Sequence, residues 1–157
     1  MVKIRKATNA DVPNIKKIAS MAWYDTYAKI MEASTIAKFL EAAYNDERLE
    51  RRIGDSLFLV AENDDEVIGF ANFINGTELF LSAIYVNPSF QRHNIGAELL
   101  EAGLNHFDDY KELFVEVASN NEQARGFYKK TGFELVREYN EELFGETVTT
   151  GLLKKMI

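Results

Sequence analysis

Between Ile84 and Leu100 the chain reads Ile-Tyr-Val-Asn-Pro-Ser-Phe-Gln-Arg-His-Asn-Ile-Gly-Ala-Glu-Leu-Leu, so that a strand signal, a break and a helix start follow one another closely. The apolar run Leu79 to Val86 suits a buried strand, and Asn87-Pro88 ends it because proline offers no ladder donor. Apolar residues then recur at Ile95, Leu99, Leu100, Leu104 and Phe107. That spacing is near the helical period and puts Gly96-Ala97 in a first helical turn. Free N–H groups and the positive dipole end of such a turn make an anion site, and the small Gly96 and Ala97 let a pyrophosphate come close. Arg92 adds a guanidinium able to reach a phosphate while Gln91 shapes the loop, with His93 beside them. The chain has no cysteine, which excludes disulfides, thiolate metal sites and a cysteine nucleophile. His93 and His106 are too isolated for a metal site or a triad.

This strand–loop–helix resembles the acyl-CoA-binding motif of the GNAT N-acetyltransferase superfamily: Gln or Arg, two residues, Gly, one residue, then Gly or Ala. Here the segment is Gln91-Arg92-His93-Asn94-Ile95-Gly96, with Asn94 where the motif has its first glycine. Asparagine is the residue next most willing to turn left-handed, so the loop is expected to keep its shape. Asn121-Glu122-Gln123-Ala124-Arg125-Gly126-Phe127-Tyr128-Lys129-Lys130-Thr131-Gly132-Phe133 resembles a second GNAT signature. Its pattern is Asn, two residues, Ala, three residues, Tyr, three residues, Gly-Phe.

The resemblance implies an acetyl-CoA site and a place for each residue in it. The loop residues Gln91, Arg92, His93, Asn94, Ile95, Gly96 and Ala97 would hold the pyrophosphate. The main chain of Ile84, Tyr85 and Val86 would pair with the pantetheine, Asn121 would contact that arm, and the Tyr128 hydroxyl would lie near the sulfur. A phenol can hydrogen-bond to, and protonate, a departing thiolate where water is scarce. Some family members carry a glutamate base at the start of the strand before the loop, which implies Glu78. A loop one residue longer puts Phe80 there, and deprotonation through water needs no carboxylate. Family acceptor pockets lie between the early helices, where Trp23, Tyr24 and Tyr27 fall, although aromatics at such spacing also suit a core. Ala22 to Tyr27 is also similar to PaiA-type polyamine acetyltransferases, with Asp25, Glu32 and Glu41 as available negative charge.

The elements that must position these residues follow from changes of period. Val2 to Ala7 alternates as a strand, and Thr8 to Pro13 starts a helix reaching about Tyr24, with a looser segment to Met31. Ile36, Phe39, Leu40 and Ala43 mark a second helix, and Leu49 with Ile53 a short one stopped by Gly54. Leu57–Ala61 and Val67–Ile74 read as strands, with a hairpin-type turn at Asn75-Gly76 before Leu79–Val86. A helix from Ile95 to about Phe107, a strand over Leu113–Ala118, a helix from about Asn121 to Lys130, and strands over Phe133–Tyr139 and Thr147–Leu153 complete the chain. The expectation is an α/β fold: a mixed GNAT-type sheet of about six to seven strands with about four helices, in one N-acetyltransferase domain spanning residues 1–157.

A formal charge of −7 argues against a dedicated nucleic-acid binder, which would show a basic face. No segment has the length to cross a bilayer, and Met-Val-Lys-Ile-Arg-Lys leads into no apolar signal core. The expected protein is cytoplasmic, a monomer or homodimer, and acts on a small-molecule or peptide amine, with no nucleic-acid, membrane or metal partner. Direct attack of the amine on acetyl-CoA in a ternary complex is the expected reaction. A non-catalytic acyl-CoA-binding regulatory module, or a plain interaction domain, would use the same fold.

Overall fold

The structure is a computed structural model that describes residues 2–91 and 93–157. After β1 (Val2–Lys6) come three helices, α1 (Val12–Tyr27), α2 (Ala33–Ala43) and α3 (Asp46–Asp55). The antiparallel run β2 (Leu57–Asn63), β3 (Glu66–Asn75) and β4 (Leu79–Val86) follows. The chain then continues through α4 (Ile95–Leu104), β5 (Glu112–Ala118), α5 (Glu122–Lys130), β6 (Phe133–Leu143) and β7 (Glu146–Met156). The seven strands form one mixed sheet in the order β1-β2-β3-β4-β5-β7-β6.

The described residues form five α-helices, one for each helical segment read from the sequence and one more than the total of about four. Helix α1 runs past Tyr24 to Tyr27, since Trp23 and Tyr27, one turn apart, both bury their rings. Gly54 does not stop α3; the helix closes one residue beyond Asp55, where the Ser56 N–H bonds to the Arg52 carbonyl. The last two strands are longer than expected. They form a hairpin that turns through two positive-φ residues, Phe144 (49°) and Gly145 (88°).

Each face of the sheet has its own core. Helices α4 and α5 cover one side, burying Leu81, Ile95, Leu99, Val115, Val117 and Phe133. Helices α1 and α3 cover the other over Ile15, Leu49, Phe58 and Phe70, extended by a cluster of Trp23, Tyr27, Met31 and Ile36. A buried network ties α3 to β3: Arg52 Nε donates to Asn72 Oδ1, and Asn72 Nδ2 donates to Ser56 Oγ and the Leu57 carbonyl. With each polar atom partnered, the network holds the helical layer in one position on the sheet.

All strand pairs are antiparallel except β4 with β5, which run parallel and stay paired only at Leu79–Leu113, Phe80–Phe114 and Leu81–Val115. Beyond Leu81 they part. On the other side of β4, Phe73 faces Leu81 while Asn72 faces Ala83, so Ser82 is an extra residue without a partner. Such a bulge bends its strand and sharpens the local twist, and here it falls at the point of separation. It also changes which side chains face which way. Leu79 and Leu81 enter the α4 core, yet after Ser82 it is Ile84 and Val86 that do so, while Ala83 and Tyr85 face the α1 side.

Helix α4 can approach the sheet because Gly103 has no side chain. A Cβ there would lie 2.0 Å from Cε1 of the fully buried Phe73 ring. Gly103→Ala is therefore expected to destabilise the protein by about 1–3 kcal/mol through overpacking, measurable as a lower urea midpoint.

Candidate functional site

The separation of β4 from β5 opens a cavity of about 1020 Å³ that passes through the sheet. Its walls are peptide groups as well as side chains. The Asn87 N–H bonds to the Ile68 carbonyl, and antiparallel ladders alternate between bonded and non-bonded pairs. The main-chain groups of Tyr85 therefore face β3, and those of Ile84 and Val86 face the gap. The same reasoning from the Ser119 N–H to Thr149 carbonyl bond turns the peptide groups of Glu116 and Ala118 into the gap from β5. An extended, amide-containing chain laid between the strands would meet donors and acceptors on both sides.

At one end the cavity reaches the start of α4. Asn94 has φ 60° and ψ 16°, the left-handed conformation expected of it. Its side chain does not cap the helix, and the first intrahelical bond runs from the Glu98 N–H to the Asn94 carbonyl. The N–H groups of Ile95, Gly96 and Ala97 thus have no acceptor among the described residues, as an anion site requires. Gln91 lines this end and accepts a hydrogen bond from Gln123 of α5, and Lys129 and Lys130 add positive charge. The glycine at 96 has a second reason. A Cβ there would come within 3.1 Å of the Phe127 ring, so its small size seats α4 against α5 besides admitting a ligand.

Where the cavity crosses the sheet, phenols from three elements line it: Tyr27 of α1, Tyr85 of β4 and Tyr128 of α5. The oxygen of Tyr85 accepts from Trp23 Nε1 at 2.9 Å, and that of Tyr27 accepts from Asn121 Nδ2 at 3.1 Å. Tyr128 is buried, and its hydroxyl bonds to no described residue; it is nevertheless not sealed in, because among the described residues no fully buried side-chain polar atom lacks a partner. It opens on the cavity. Burial holds the Tyr128 hydroxyl far above the ordinary tyrosine range, with Tyr27 adding to the effect, so it stays protonated.

The other end lies between α1, α2 and the β6–β7 hairpin. Trp23 stacks on Phe39 with centroids 3.9 Å apart, and Met31, Leu143 and Val148 complete an apolar wall. Into this region come Glu116, Glu141 and Glu142. Glu141 accepts from the buried Thr150 hydroxyl at 2.7 Å. Partial burial, followed by the nearby Glu141, pushes the Glu116 carboxyl above the usual carboxylate range against the opposing pull of Arg137. A carboxylate so placed is a better proton acceptor than a free surface glutamate.

Most expected site residues meet here: Trp23, Tyr27, Ile84, Tyr85, Val86, Gln91, Asn94, Ile95, Gly96, Ala97, Asn121 and Tyr128 all line the cavity. Four do not. Tyr24, 40% exposed, lies on the outer side of α1 about 100° round the helix from Trp23, over a shallow groove with Pro13 and Lys16. His93 is exposed and near the Phe90 ring, outside the lining. Arg92 lies outside the described residues. Glu78 is exposed and precedes β4 at the end where β4 and β5 are still paired, six residues or roughly 20 Å of strand from Ile84. Of the carboxylates that line the cavity, Glu116 is the one held above the usual range, and the sequence reading missed it. Its one signal was an acidic residue within the otherwise apolar stretch Leu113 to Ala118.

A family model described as an acetyltransferase (GNAT) domain matches residues 26–145. Over 99% of this chain and 98% of its own length, an uncharacterized N-acetyltransferase in the pepI 3′ region of Lactobacillus delbrueckii subsp. lactis is 28% identical. The peptidyl-lysine N-acetyltransferase YiaC of Escherichia coli is 26% identical over 85% of this chain and 84% of its own. Among solved structures, the PaiA N-acetyltransferase of Thermoplasma acidophilum in complex with coenzyme A superposes with a TM-score of 0.86 at 26% identity, covering 100% of this chain and 99% of that one.

Asn121 begins α5 by accepting the Ala124 N–H on Oδ1 at 3.1 Å. Asn121→Ala should cost about 1 kcal/mol of stability and Asn121→Ser only a few tenths, since serine can still cap; urea unfolding of the two variants checks this.

Proposed function

This chain belongs to the GNAT acetyltransferase family, and from that membership we propose that residues 1–157 act as an acetyl-CoA-dependent N-acetyltransferase for the primary amine of a small molecule, polyamines included, or of a peptide. The observation that carries the reading is the parting of β4 and β5 after Leu81 and Val115, which joins the first-turn donors of α4, Tyr128 and Glu116 in one cavity. The residues present fit the coenzyme. The N–H groups of Ile95, Gly96 and Ala97, which have no acceptor among the described residues, suit its pyrophosphate, and the peptide edges of Ile84 and Val86 that face the gap suit its amide-bearing arm.

Acetyl-CoA supplies an acetyl group on a thioester sulfur, which leaves as a thiolate. Tyr128 holds a proton for that sulfur. Because burial makes its phenol a weak acid, its contribution is a hydrogen bond to developing negative charge more than early proton release. Glu116 takes the proton of the attacking amine, directly or through one water, as the C–N bond forms and the C–S bond breaks. Its raised affinity for protons serves that role. Glu116 and Glu141 make the acceptor end acidic, which favours a cationic amine over a neutral or anionic acceptor. The aromatic wall of Trp23 and Phe39 gives the amine's carbon chain a dry surface.

One assay tests the proposal: release of free coenzyme A from acetyl-CoA in the presence of spermidine, small monoamines and a lysine-containing peptide. At least one acceptor should raise release well above the hydrolytic background, and a protein that fails to bind acetyl-CoA in calorimetry would remove the reading. With an active acceptor, Tyr128→Phe is expected to lower turnover about 10²–10³-fold while changing coenzyme affinity little. The acid limb of kcat/KM should lie above the ordinary glutamate range near ~4.3, activity rising as Glu116 loses its proton. Glu116→Gln should remove that limb and leave only the one set by the amine.

A further inference from the structure

The ring of Tyr27 belongs to the acceptor end, and its oxygen reaches across the middle of the cavity to the start of α5. Its ring is buried at the end of α1, 4.5 Å centroid to centroid from Trp23. Its hydroxyl oxygen, however, lies 3.1 Å from Nδ2 of Asn121, a residue on the opposite side of the cavity and 94 positions further along the chain. Asn121 is held at its other atom too, because Oδ1 accepts the Ala124 N–H as the cap of α5. The amide therefore cannot be reversed: oxygen must face the helix and nitrogen must face Tyr27.

An asparagine amide has a broad torsional preference, so one hydrogen bond leaves its plane free to swing. The second bond, to Tyr27, removes that freedom. One Nδ2 hydrogen is then used on Tyr27, and the other remains for the cavity that Asn121 lines, beside the free peptide edges of β4 and β5. A hydrogen fixed in this way suits the amide carbonyl of an extended ligand in the gap. The Tyr27 hydroxyl stays neutral. Burial raises the Tyr27 phenol above its ordinary value, outweighing the bond from Asn121 that acts the other way.

We propose that Tyr27 is a positioning residue for the pantetheine arm of the coenzyme, acting through Asn121, and not only part of the acceptor wall. The inference rests on the acetyl-CoA reading above. It makes a residue of the amine pocket a determinant of coenzyme affinity, specific to the arm and without effect on the nucleotide.

The test is calorimetric titration with two ligands: coenzyme A, and adenosine 3′-phosphate 5′-diphosphate, which has the nucleotide and lacks the pantetheine. Tyr27→Phe, Asn121→Ser and the double variant are compared with wild type. Phenylalanine keeps the ring packing on Trp23, and serine keeps a cap on α5 while removing Nδ2. Tyr27→Phe should weaken coenzyme A by about three- to tenfold, the scale of one net hydrogen bond, and leave the nucleotide unchanged. The double variant should bind coenzyme A no more weakly than Asn121→Ser alone, since the two act as a unit. Unchanged coenzyme A affinity in Tyr27→Phe, an equal loss for both ligands, or losses that multiply in the double variant would overturn the inference while leaving the coenzyme site intact. Wild-type protein that binds neither ligand would overturn the coenzyme reading itself, and this inference with it.

Discussion

Parallel pairing between β4 and β5 lasts three residues and then ceases, and the site exists because of that interruption. A sheet broken in its middle leaves peptide groups without partners, and such groups are tolerated only where water or a ligand can reach them. Here the exposed groups of Ile84, Val86, Glu116 and Ala118 all border one cavity. The bulge at Ser82 provides the cause. It bends β4 away while β3 continues to hold it from the other side, and β7 holds β5 along its whole length. The gap is thus built between two firmly paired pairs of strands, which keeps it open without loosening the fold.

An opening through a sheet brings together side chains from both faces, which ordinary packing keeps apart. Tyr128 and the start of α4 belong to one core, Trp23 and Tyr27 to the other. The cavity is electrically divided as well. Backbone donors and two lysines occupy one end, and Glu116 and Glu141 the other. A polyanionic coenzyme and a cationic amine are accordingly drawn to opposite mouths and meet at the phenols between them. The overall charge of −7 conceals this division.

Much of the arrangement was legible in the sequence because it depends on local spacing. The left-handed Asn94 and the glycine at the start of α4 are properties of a short segment, and each stands where the pattern of that segment put it. What escaped depends on long-range geometry. Leu79 to Val86 is apolar at nearly every position, so nothing in it reveals that Ser82 exchanges the two faces of the strand. Glu116 looks like the solvent side of an alternating strand, and becomes a site residue only because β4 has moved away from it. Glu78 stands apart from the cavity for the same reason: it precedes the same strand, at the end where no gap exists. Tyr24 is different. Its distance from Trp23 and Tyr27 round a helix was already fixed by the numbering, once α1 was known to continue that far.

The account stands or falls on whether the open edges of β4 and β5 and the first turn of α4 take up the coenzyme together. Amide hydrogen exchange followed residue by residue, with and without coenzyme A, addresses this directly. The N–H groups of Ile84, Val86, Ile95, Gly96 and Ala97 should all exchange markedly more slowly in the bound protein, while Tyr85, already bonded to β3, changes little. Saturating coenzyme A that leaves those five amides exchanging at their free rates would show that this cavity is not where the coenzyme binds.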